Sequence, residues 1–330
     1  MKFLFEQPVG GEIFRLQGFA NALTSMGHEC YFWQNTQPAY DVFDIINPDV
    51  FIGTTFNINK AIIECVSERP NLKVILKGSN FGESNKYIDL GKYPIVSAQK
   101  YEIENIKYML DKTGRPNYIF CHYHDKDLER TMGFWTKELG IKTVALPNAA
   151  DILMYNKGTY RQELASDVCF VGGYWPYKAI NLDRLIVPLC NKKNLNIKIW
   201  GNQPWFVPQY LGVPENSTVK DIYASSKVCP NVSEPHSLDF GFDVVERPFK
   251  IISSGGFCLM DDVIAASYFF DEDEIGWYNS SVESSLEEMI DYYLTDDGQK
   301  EAQQIIKKGM DKVLSQHTYH HRAEKLISEL

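Results

Sequence analysis

The stretch VVERPFKIISSGGFCLMDD, residues 244 to 262, decides how the chain is organised. Proline is favoured at the first position of a helix, so Pro248 predicts a helix over about Glu246 to Ser253. The pair Gly255-Gly256 then predicts a turn, and the apolar run FCLM predicts a buried strand. A helix that leads through glycines into such a strand is typical of a parallel α/β sheet.

The same alternation of apolar runs and helical stretches continues through the chain. Apolar runs in the first half predict the strands KFLFEQ, ECYFW, DVFIGTT, KVILKGS, YPIVSA, NYIFCHYH and KTVALP. Those in the second half predict DVCFVGG, NIKIWG, KVCPNV and GFCLMD. Residues 147–166 lose this periodicity, so we predict two doubly wound, Rossmann-like domains, residues 1–155 and 156–310.

Composition limits the classes of partner and the compartment. The 330 residues carry 33 Lys+Arg against 43 Asp+Glu, a net charge of -10, so a nucleic-acid partner is possible but not favoured. Seven cysteines without Cys-x-x-Cys spacing are typical of reduced thiols in the cytosol. No apolar run approaches the roughly 20 residues of a membrane span. We expect a cytoplasmic monomer or weak homo-oligomer.

Two glycine pairs stand between a predicted strand and a predicted helix, Gly10-Gly11 and Gly172-Gly173. Glycine at such a turn lets the backbone approach a ligand, and the helix N-terminus favours an anion. The same glycines can serve tight turns that bind nothing. Because doubly wound domains bind ligands at the carboxyl ends of their strands, we predict both turns at a cleft between the domains, with Arg15 beside the first.

Charged residues open the helix of the stretch quoted first. Arg247 and Lys250 are suited to neutralise a diphosphate, and the Glu246 carboxylate is suited to accept hydrogen bonds from a ribose diol. The alternative is a Glu-Arg ion pair on the surface of a solvated helix.

The residues from Val244 to about Leu326 resemble the C-terminal half of GT-B glycosyltransferases of group 1, in the spore-maturation-type (CgeB-like) branch. The likeness is carried by ERPFKIISSGGFCLMD, FFDEDEIGWYNSSVESSLEEMIDYYLTDD and GMDKVLSQHTYHHRAEKLI. The matching features are an arginine and an aromatic residue before a small-residue helix, a strand that ends in Asp, and a terminal HTY followed by arginine.

The resemblance implies a GT-B fold in which two Rossmann-like domains face each other across a cleft and a terminal helix, residues 311–330, packs back on the first domain. It implies a nucleoside-diphosphate-sugar donor, with UDP as our working nucleotide, held by the second domain. The predicted donor-binding residues are Gly172, Gly173, Lys178, Glu246, Arg247, Lys250, Ser254, Gly255 and Gly256. Gly10, Gly11 and Arg15 are assigned to the acceptor side of the cleft.

One position departs from the family pattern. Group 1 transferases commonly place a glutamate that binds the donor ribose where Lys250 stands, and lysine cannot accept those hydrogen bonds. Either Glu246 replaces that glutamate or the donor lies differently. We expect no cofactor and no metal, because the cations and the backbone N–H groups near Gly172 and Gly255 would stabilise the leaving diphosphate.

The segment CHYHDKD follows the predicted strand NYIF, so His122 and His124 stand at the carboxyl end of a strand. Group 1 transferases often keep a histidine near the transferred sugar, and the resemblance therefore assigns both as catalytic; histidines of a surface loop are the alternative. Asp125 and Asp127 form the Asp-x-Asp pattern with which GT-A transferases hold a metal-bound diphosphate.

The predicted function is a hexosyl- or pentosyltransferase that moves a sugar from a nucleotide donor to a hydroxyl group, with retention at the anomeric carbon. The acceptor is a glycan, a small molecule or a modified DNA base. Three alternatives stay open: a nucleotide-sugar epimerase on the same fold, a metal-dependent GT-A transferase that uses Asp125 and Asp127, and a non-catalytic sugar-nucleotide-binding protein.

Overall fold

The structure of the chain is a computed structural model that describes residues 1–6, 12–34, 36–79 and 98–330. It divides into two compact units. Unit 1 comprises Met1–Pro147 and His320–Leu330, and unit 2 comprises Asn148–Tyr319.

The observed division differs from the predicted domain ranges at both ends of unit 2. The first break falls at Pro147, before the predicted residue 155, because the following segment bonds to the second unit: Asn148 Nδ2 donates to the Val244 carbonyl at 2.8 Å. The chain returns to unit 1 at His320 rather than at residue 311. The C-terminal segment thus crosses back to the first unit, where its Leu326 carbonyl accepts a 2.9 Å hydrogen bond from the Tyr118 hydroxyl.

Unit 1 contains a parallel sheet in the order β2-β1-β3-β4-β5-β6. Its strands are β1 (Lys2–Glu6), β2 (Glu29–Trp33), β3 (Val50–Thr54), β4 (Lys73–Lys77), β5 (Tyr118–Cys121) and β6 (Thr143–Ala145). The strands β1, β3, β4 and β5 are buried almost throughout, as expected of a sheet covered on both faces. Residues 93–97 of the predicted strand YPIVSA lie outside the described residues.

The helices of unit 1 connect these strands. They are α1 (Glu12–Ser25), α2 (Ala39–Ile46), α3 (Lys60–Ser67), α4 (Lys100–Thr113) and α5 (Leu128–Leu139). Local sequence sets their ends: Asn59 Oδ1 accepts from the Ile62 N–H at 3.2 Å at the start of α3. Gly114 and Gly140 end α4 and α5 in the left-handed region that favours glycine.

Unit 2 contains a second parallel sheet, in the order β11-β10-β9-β7-β8. Its strands are β7 (Ser166–Val171), β8 (Ile197–Trp200), β9 (Ser226–Pro230), β10 (Cys258–Asp261) and β11 (Gly276–Tyr278). The chain places β8 on one side of β7 and then turns to place β9 on the other side. The order therefore reverses between β7 and β9, the point at which open α/β sheets leave a crevice for ligands.

The helices of unit 2 follow the same pattern, and the last helix returns to unit 1. They are α6 (Pro176–Leu185), α7 (Asn216–Ala224), α8 (Pro235–Phe240), α9 (Arg247–Ser253), α10 (Ser285–Tyr293), α11 (Asp296–Gln316) and α12 (Tyr319–Ser328). The predicted helix of the opening stretch is confirmed as α9, with proline in its first turn. None of the helices in the described part of the chain is both long enough and apolar enough to cross a bilayer.

Side chains alternate between the two faces of the second sheet. Cys169, Cys229 and Cys258 pack into the core on one face, while Phe170 and Leu259 pack into the core on the other. All seven cysteines are free thiols. The sheet is thus packed on both faces, and it positions the loops at its carboxyl edge.

Gly201 lets the carboxyl ends of β7 and β8 approach each other. A Cβ at this position would lie 2.3 Å from the Gly172 carbonyl oxygen, and backbone atoms cannot step aside as a flexible side chain can. We expect Gly201→Ala to destabilise the protein by about 1–3 kcal/mol, seen as a lower Tm in thermal unfolding followed by circular dichroism.

Gly133 provides the matched control for this substitution. It lies inside α5, and its added Cβ would meet nothing closer than 3.5 Å. Alanine is the better helix former by about 1 kcal/mol, so Gly133→Ala should leave the Tm unchanged or raise it. An equal Tm for the two alanine variants would contradict the role given to Gly201.

Candidate functional site

The guanidinium group of Arg247 spans the point at which the second sheet reverses its order. Its Nε donates to the Val171 carbonyl at 3.1 Å, at the end of β7. Its Nη1 donates to Asn231 Oδ1 at 2.9 Å and lies 3.4 Å from the Val232 carbonyl, both just after β9. The arginine therefore joins two strand ends and lies in the crevice where a doubly wound sheet binds its ligand.

The third nitrogen of this guanidinium faces the glycine turn. A Cβ on Gly172 would come within 3.0 Å of Arg247 Nη2, so glycine leaves room for this nitrogen. The guanidinium carbon lies 4.7 Å from the centre of the Phe170 ring, which supports it from below. Within the described residues, Nη2 has no acceptor, whereas Nε and Nη1 are both engaged.

Lys178 brings a second positive charge to the same ring. Its Nζ lies 5.7 Å from the centre of Phe170, and the residue is only 8% exposed. Burial, and after it the charge of Arg247, lower the pKa of Lys178 to about 7, while the charges of Glu234 and Asp261 oppose that shift. In the part of the chain that the structure describes, Nζ makes no hydrogen bond or ion pair. An anion placed here would relieve the cost of burying the ammonium group.

A buried carboxylate completes the polar layer beneath the cations. Asp261, at the end of β10, accepts hydrogen bonds from Asn231 Nδ2 and the Ser233 hydroxyl, each at 3.0 Å, and from the Ser233 N–H. Burial raises the pKa of Asp261 to about 6, and these hydrogen bonds and the charge of Arg247 oppose the shift. The carboxylate fixes the loop after β9, which in turn holds Asn231 against the guanidinium.

A histidine stands at the start of α8, beside Tyr177, which directly precedes Lys178 in the first turn of α6. The His236 ring stacks on the Tyr177 ring, with centroids 5.9 Å apart and planes at 14°. Its Nε2 lies 3.2 Å from Asp243 Oδ2, and its Nδ1 lies 3.6 Å from Glu234 Oε2. Two carboxylates and a tyrosine thus fix the orientation of this imidazole.

Glu246 and Lys250 form a pair that is largely buried. Lys250 Nζ lies 2.9 Å from Glu246 Oε2, and the two side chains are 13% and 12% exposed. The other oxygen of Glu246 accepts a hydrogen bond from the Tyr319 hydroxyl. Burial lowers the pKa of Lys250, but the charge of Glu246, with that of Tyr155 next, more than offsets this, so the net shift is upward. The predicted alternative, an exposed Glu246–Arg247 ion pair, is wrong: the partner of Glu246 is Lys250.

The structure separates some of the predicted donor-binding residues from the cations. Ser254, Gly255 and Gly256 lie at the end of α9 and lead into β10, so they stand at the amino edge of the sheet, opposite to Arg247. The N–H groups of Gly255 and Gly256 already donate to the carbonyls of Ile252 and Ile251. The prediction that these backbone groups face a diphosphate is therefore wrong, because a helix that crosses the sheet places its two ends at opposite edges.

The first glycine turn of unit 2 is at the expected edge. Gly172 and Gly173 follow β7 directly and precede α6. The Gly172 N–H is occupied by the Trp200 carbonyl at 2.7 Å. A Cβ on Gly173 would lie 2.5 Å from Asn202 Oδ1, so this turn is also tightly packed. Its proximity to the cations agrees with the prediction, while contact with a donor stays a prediction.

In unit 1 the predicted histidines follow β5, at the carboxyl edge of the first sheet. His122 is half-buried, with its ring 4.3 Å from that of Tyr123. His124 caps the short helical turn Asp125–Asp127 through its Nδ1, which accepts from the Lys126 N–H at 3.2 Å. Burial lowers the pKa of His124 and thereby favours the neutral ring. Their catalytic assignment stays a prediction.

The remaining acceptor-side assignments fall partly outside the described residues. Gly10 and Gly11 are among the residues that the structure does not describe. Arg15 lies in the first part of α1 and is half-buried.

Each aspartate of the Asp-x-Asp pattern pairs with a nearby cationic side chain. Both oxygens of Asp125 lie 3.0 Å from Lys325 Nζ, and Asp127 pairs with Arg130 at 2.9 Å. Among the described residues, no group of three histidine, cysteine, aspartate or glutamate side chains is arranged to hold a metal ion. In this structure the two carboxylates serve local ion pairs.

Several residues of the cluster were not found from the sequence. Asn231 belongs to the predicted strand KVCPNV and Asp261 to the family pattern, but neither was assigned to the site, and Ser233 was not singled out at all. Asn231 follows β9 directly, and Asp261 ends β10. Tyr177 and His236 lie in no sequence motif whose spacing would have pointed to them. Asn231 and Asp261 could have been found from their positions, because polar residues at the end of a buried parallel strand commonly lie at the ligand-binding edge of the sheet.

Comparisons with known proteins agree with this architecture. Residues 183–328 match the model of a family described as "Glycosyl transferase-like". No curated protein matches the chain. Sucrose-phosphate synthase from Thermosynechococcus elongatus superposes with a TM-score of 0.65 at 10% identity, covering 99% of this chain and 97% of that one.

Two further solved structures show the same likeness. HepE from Anabaena in complex with UDP has a TM-score of 0.64 at 11% identity, covering 99% of this chain and 98% of its own. An α-glucosyltransferase in complex with UDP and a 13-mer DNA that contains an HMU base has a TM-score of 0.64 at 10% identity, covering 100% and 99%. At this level of identity the comparisons show the fold: the chain has the GT-B fold, with two Rossmann-like domains.

The buried ammonium group yields a prediction about stability. The folded pKa of Lys178 is below its ordinary value, so the charged form is disfavoured by folding and stability rises with pH as Lys178 loses its proton. Lys178→Met should therefore raise the free energy of unfolding by about 1–3 kcal/mol at pH 7.

The pH dependence of this gain is its check. The difference between variant and wild type should be largest at and below neutral pH and shrink as the pH rises above about 7, where Lys178 becomes neutral in the folded state. Lys300→Met, which removes a lysine that is 74% exposed, is the control and should show no such trend. A variant that is less stable than wild type at pH 7 would contradict the account of Lys178.

Proposed function

We propose that the chain is a glycosyltransferase that moves a sugar from a nucleoside-diphosphate-sugar to a hydroxyl group, with Lys178 and Arg247 binding the diphosphate. One observation carries the proposal. Lys178 Nζ and Arg247 Nη2 share one aromatic ring at the carboxyl edge of the second sheet, and within the described residues neither has an acceptor. Two such donors suit the oxygens of a diphosphate.

The chemistry follows from where charge develops. When the bond between the anomeric carbon and the diphosphate oxygen breaks, negative charge builds on the leaving group. Fixed cations at that place stabilise the transition state more than the ground state. Arg247 is held rigid by Val171 and Asn231, so little reorganisation is needed. We propose that these two cations do the work that a metal ion does in other transferases, and that no metal is required.

The donor is proposed to be a UDP-sugar, with a hexose as the transferred group. Solved structures that share the fold carry UDP, or UDP-glucose in one HepE complex. The resemblance to the spore-maturation-type branch of group 1 supports retention at the anomeric carbon. Glu246 is the proposed ribose ligand, because the carboxylate oxygens that hold Lys250 and Tyr319 each keep a further lone pair.

The acceptor is proposed to be a hydroxyl group of a glycan or a small molecule. One solved structure with this fold contains DNA with an HMU base, so a modified DNA base is included among the acceptors to be tested. The net charge of -10 weighs against it. His122 and His124 are the proposed residues for contact with the transferred sugar, since both follow a strand of unit 1 at its carboxyl edge.

Turnover of nucleotide sugars tests the proposal. The protein is incubated with UDP-glucose, UDP-galactose and UDP-N-acetylglucosamine, each with and without an acceptor panel that includes glycans and hydroxymethylated DNA. UDP release and the fate of the sugar are measured. A transferase releases UDP and leaves the sugar on the acceptor, and activity should persist in EDTA. An epimerase leaves an altered nucleotide sugar, and a binding protein binds UDP without turnover; either result would overturn the proposal.

Substitution of Arg247 tests the assigned site. Arg247→Lys keeps the charge but loses the planar fork, so UDP should bind about 10–100-fold more weakly by isothermal titration calorimetry. Because Arg247 also joins two strand ends, the Tm of this variant is measured alongside. Arg161→Lys, at an exposed arginine that pairs with Glu163, is the matched control and should bind UDP as wild type does. Wild-type affinity in a folded Arg247→Lys variant would remove the arginine from the site.

A further inference from the structure

A cavity lies within unit 2, and neither Lys178 nor Arg247 is among its lining residues. It has a volume of about 720 Å³. The segment after β10, the strand β11, and the helices α10 and α11 form its walls. Pockets that bind small organic ligands commonly have volumes of 300–1,000 Å³, so this cavity is of ligand size.

Aromatic and aliphatic side chains form the body of the cavity. Phe270, Trp277 and Tyr293 contribute three rings to its lining, and Ile275, Met289 and Ile305 contribute flexible or branched apolar side chains. Such a wall favours a ligand with an apolar body, and aromatic faces also attract cations.

All charged side chains that line the cavity are acidic. They are Asp262, Asp271, Glu272 and Glu301, and among the described lining residues none is lysine, arginine or histidine. Their sequence neighbours behave differently: Asp273 pairs with Lys308, and Glu274 with Lys312. No lysine or arginine in the described part of the chain forms an ion pair with the four lining acids. The cavity therefore combines an apolar wall with four exposed carboxylates that have no cationic partner among the described residues, one of which, Glu301, accepts hydrogen bonds from the Tyr292 and Tyr293 hydroxyls.

The charge of this cavity distinguishes it from the proposed donor site. Asp261 is buried and bonds to Asn231 and Ser233, whereas its neighbour Asp262 lines the cavity and accepts from the Ser280 N–H at 3.0 Å. Four carboxylates repel a diphosphate, so a nucleotide sugar is not the ligand here. The carboxylates repel an anion and attract a cation, so both effects favour a positively charged ligand.

We propose that this cavity binds a small organic ammonium ion that carries an apolar body. The ammonium group lies toward the carboxylates of Glu272 and Asp271 at the rim, and the apolar body packs on Trp277 and Phe270. The energy of such a complex comes from apolar burial, from charge pairing and from the cation over the ring. The site does not depend on the glycosyl-transfer reaction.

Benzylamine, protonated at pH 7.5, is the test probe, and benzyl alcohol is its neutral counterpart. Both are titrated into the full chain and followed by ligand-observed NMR at low salt. Benzylamine should bind at least several-fold more tightly than benzyl alcohol, and added salt should reduce that difference. Glu272→Gln should weaken benzylamine binding several-fold and leave benzyl alcohol unchanged.

Two more variants separate the site from general charge effects. Glu283→Gln removes an exposed carboxylate of unit 2 that does not line the cavity, and it should bind both probes as wild type does. Ser267→Trp places a large ring at the exposed rim and should abolish binding of both probes while the Tm stays unchanged. Absence of benzylamine binding, equal binding of the two probes, or binding that survives Ser267→Trp would each overturn the proposal. If Ser267→Trp does not fold, the comparison of Glu272→Gln with Glu283→Gln decides.

Discussion

One guanidinium group holds together the two strand ends between which the second sheet reverses its order. Arg247 reaches the Val171 carbonyl on one side and Asn231 on the other, and Phe170 supports it from below. Because two of its three nitrogens are consumed by the fold, the third is fixed in direction. The same contacts that stabilise the crevice therefore orient the donor that is left for a ligand, and fold and binding site depend on one side chain.

This arrangement carries a cost in stability that the fold must offset. Lys178 and Asp261 are both buried in this cluster, and burial lowers the pKa of Lys178 and raises the pKa of Asp261, in each case against the charged form. An ion in the crevice would compensate the two cations, and ligand binding would then stabilise the protein. Sites that bind charged ligands commonly retain such destabilised groups, because a fully satisfied cluster would have no free donor to offer.

The fold was largely readable from the sequence, because buried parallel strands are continuous apolar runs and their glycine turns are explicit. The site was readable only in part. Arg247 was predicted from its place at the start of α9, and Lys178 from the family resemblance. Gly255 was misplaced because a helix carries its two ends to opposite edges of the sheet. The pairing of Glu246 with Lys250 depends on helical spacing that the Glu-Arg dipeptide obscured. The acidic cavity was not predicted, although its lining residues all fall between Asp262 and Ile305, because it depends on how β11, α10 and α11 pack around the segment after β10.

A crystal structure of the protein with UDP tests the central claim most directly, because the claim concerns the position of two nitrogen atoms. The account predicts diphosphate oxygens within hydrogen-bond distance, about 2.7–3.2 Å, of both Arg247 Nη2 and Lys178 Nζ, with the contacts of Arg247 to Val171 and Asn231 retained. A diphosphate bound elsewhere in unit 2, with these two nitrogens left without a phosphate contact, would contradict it.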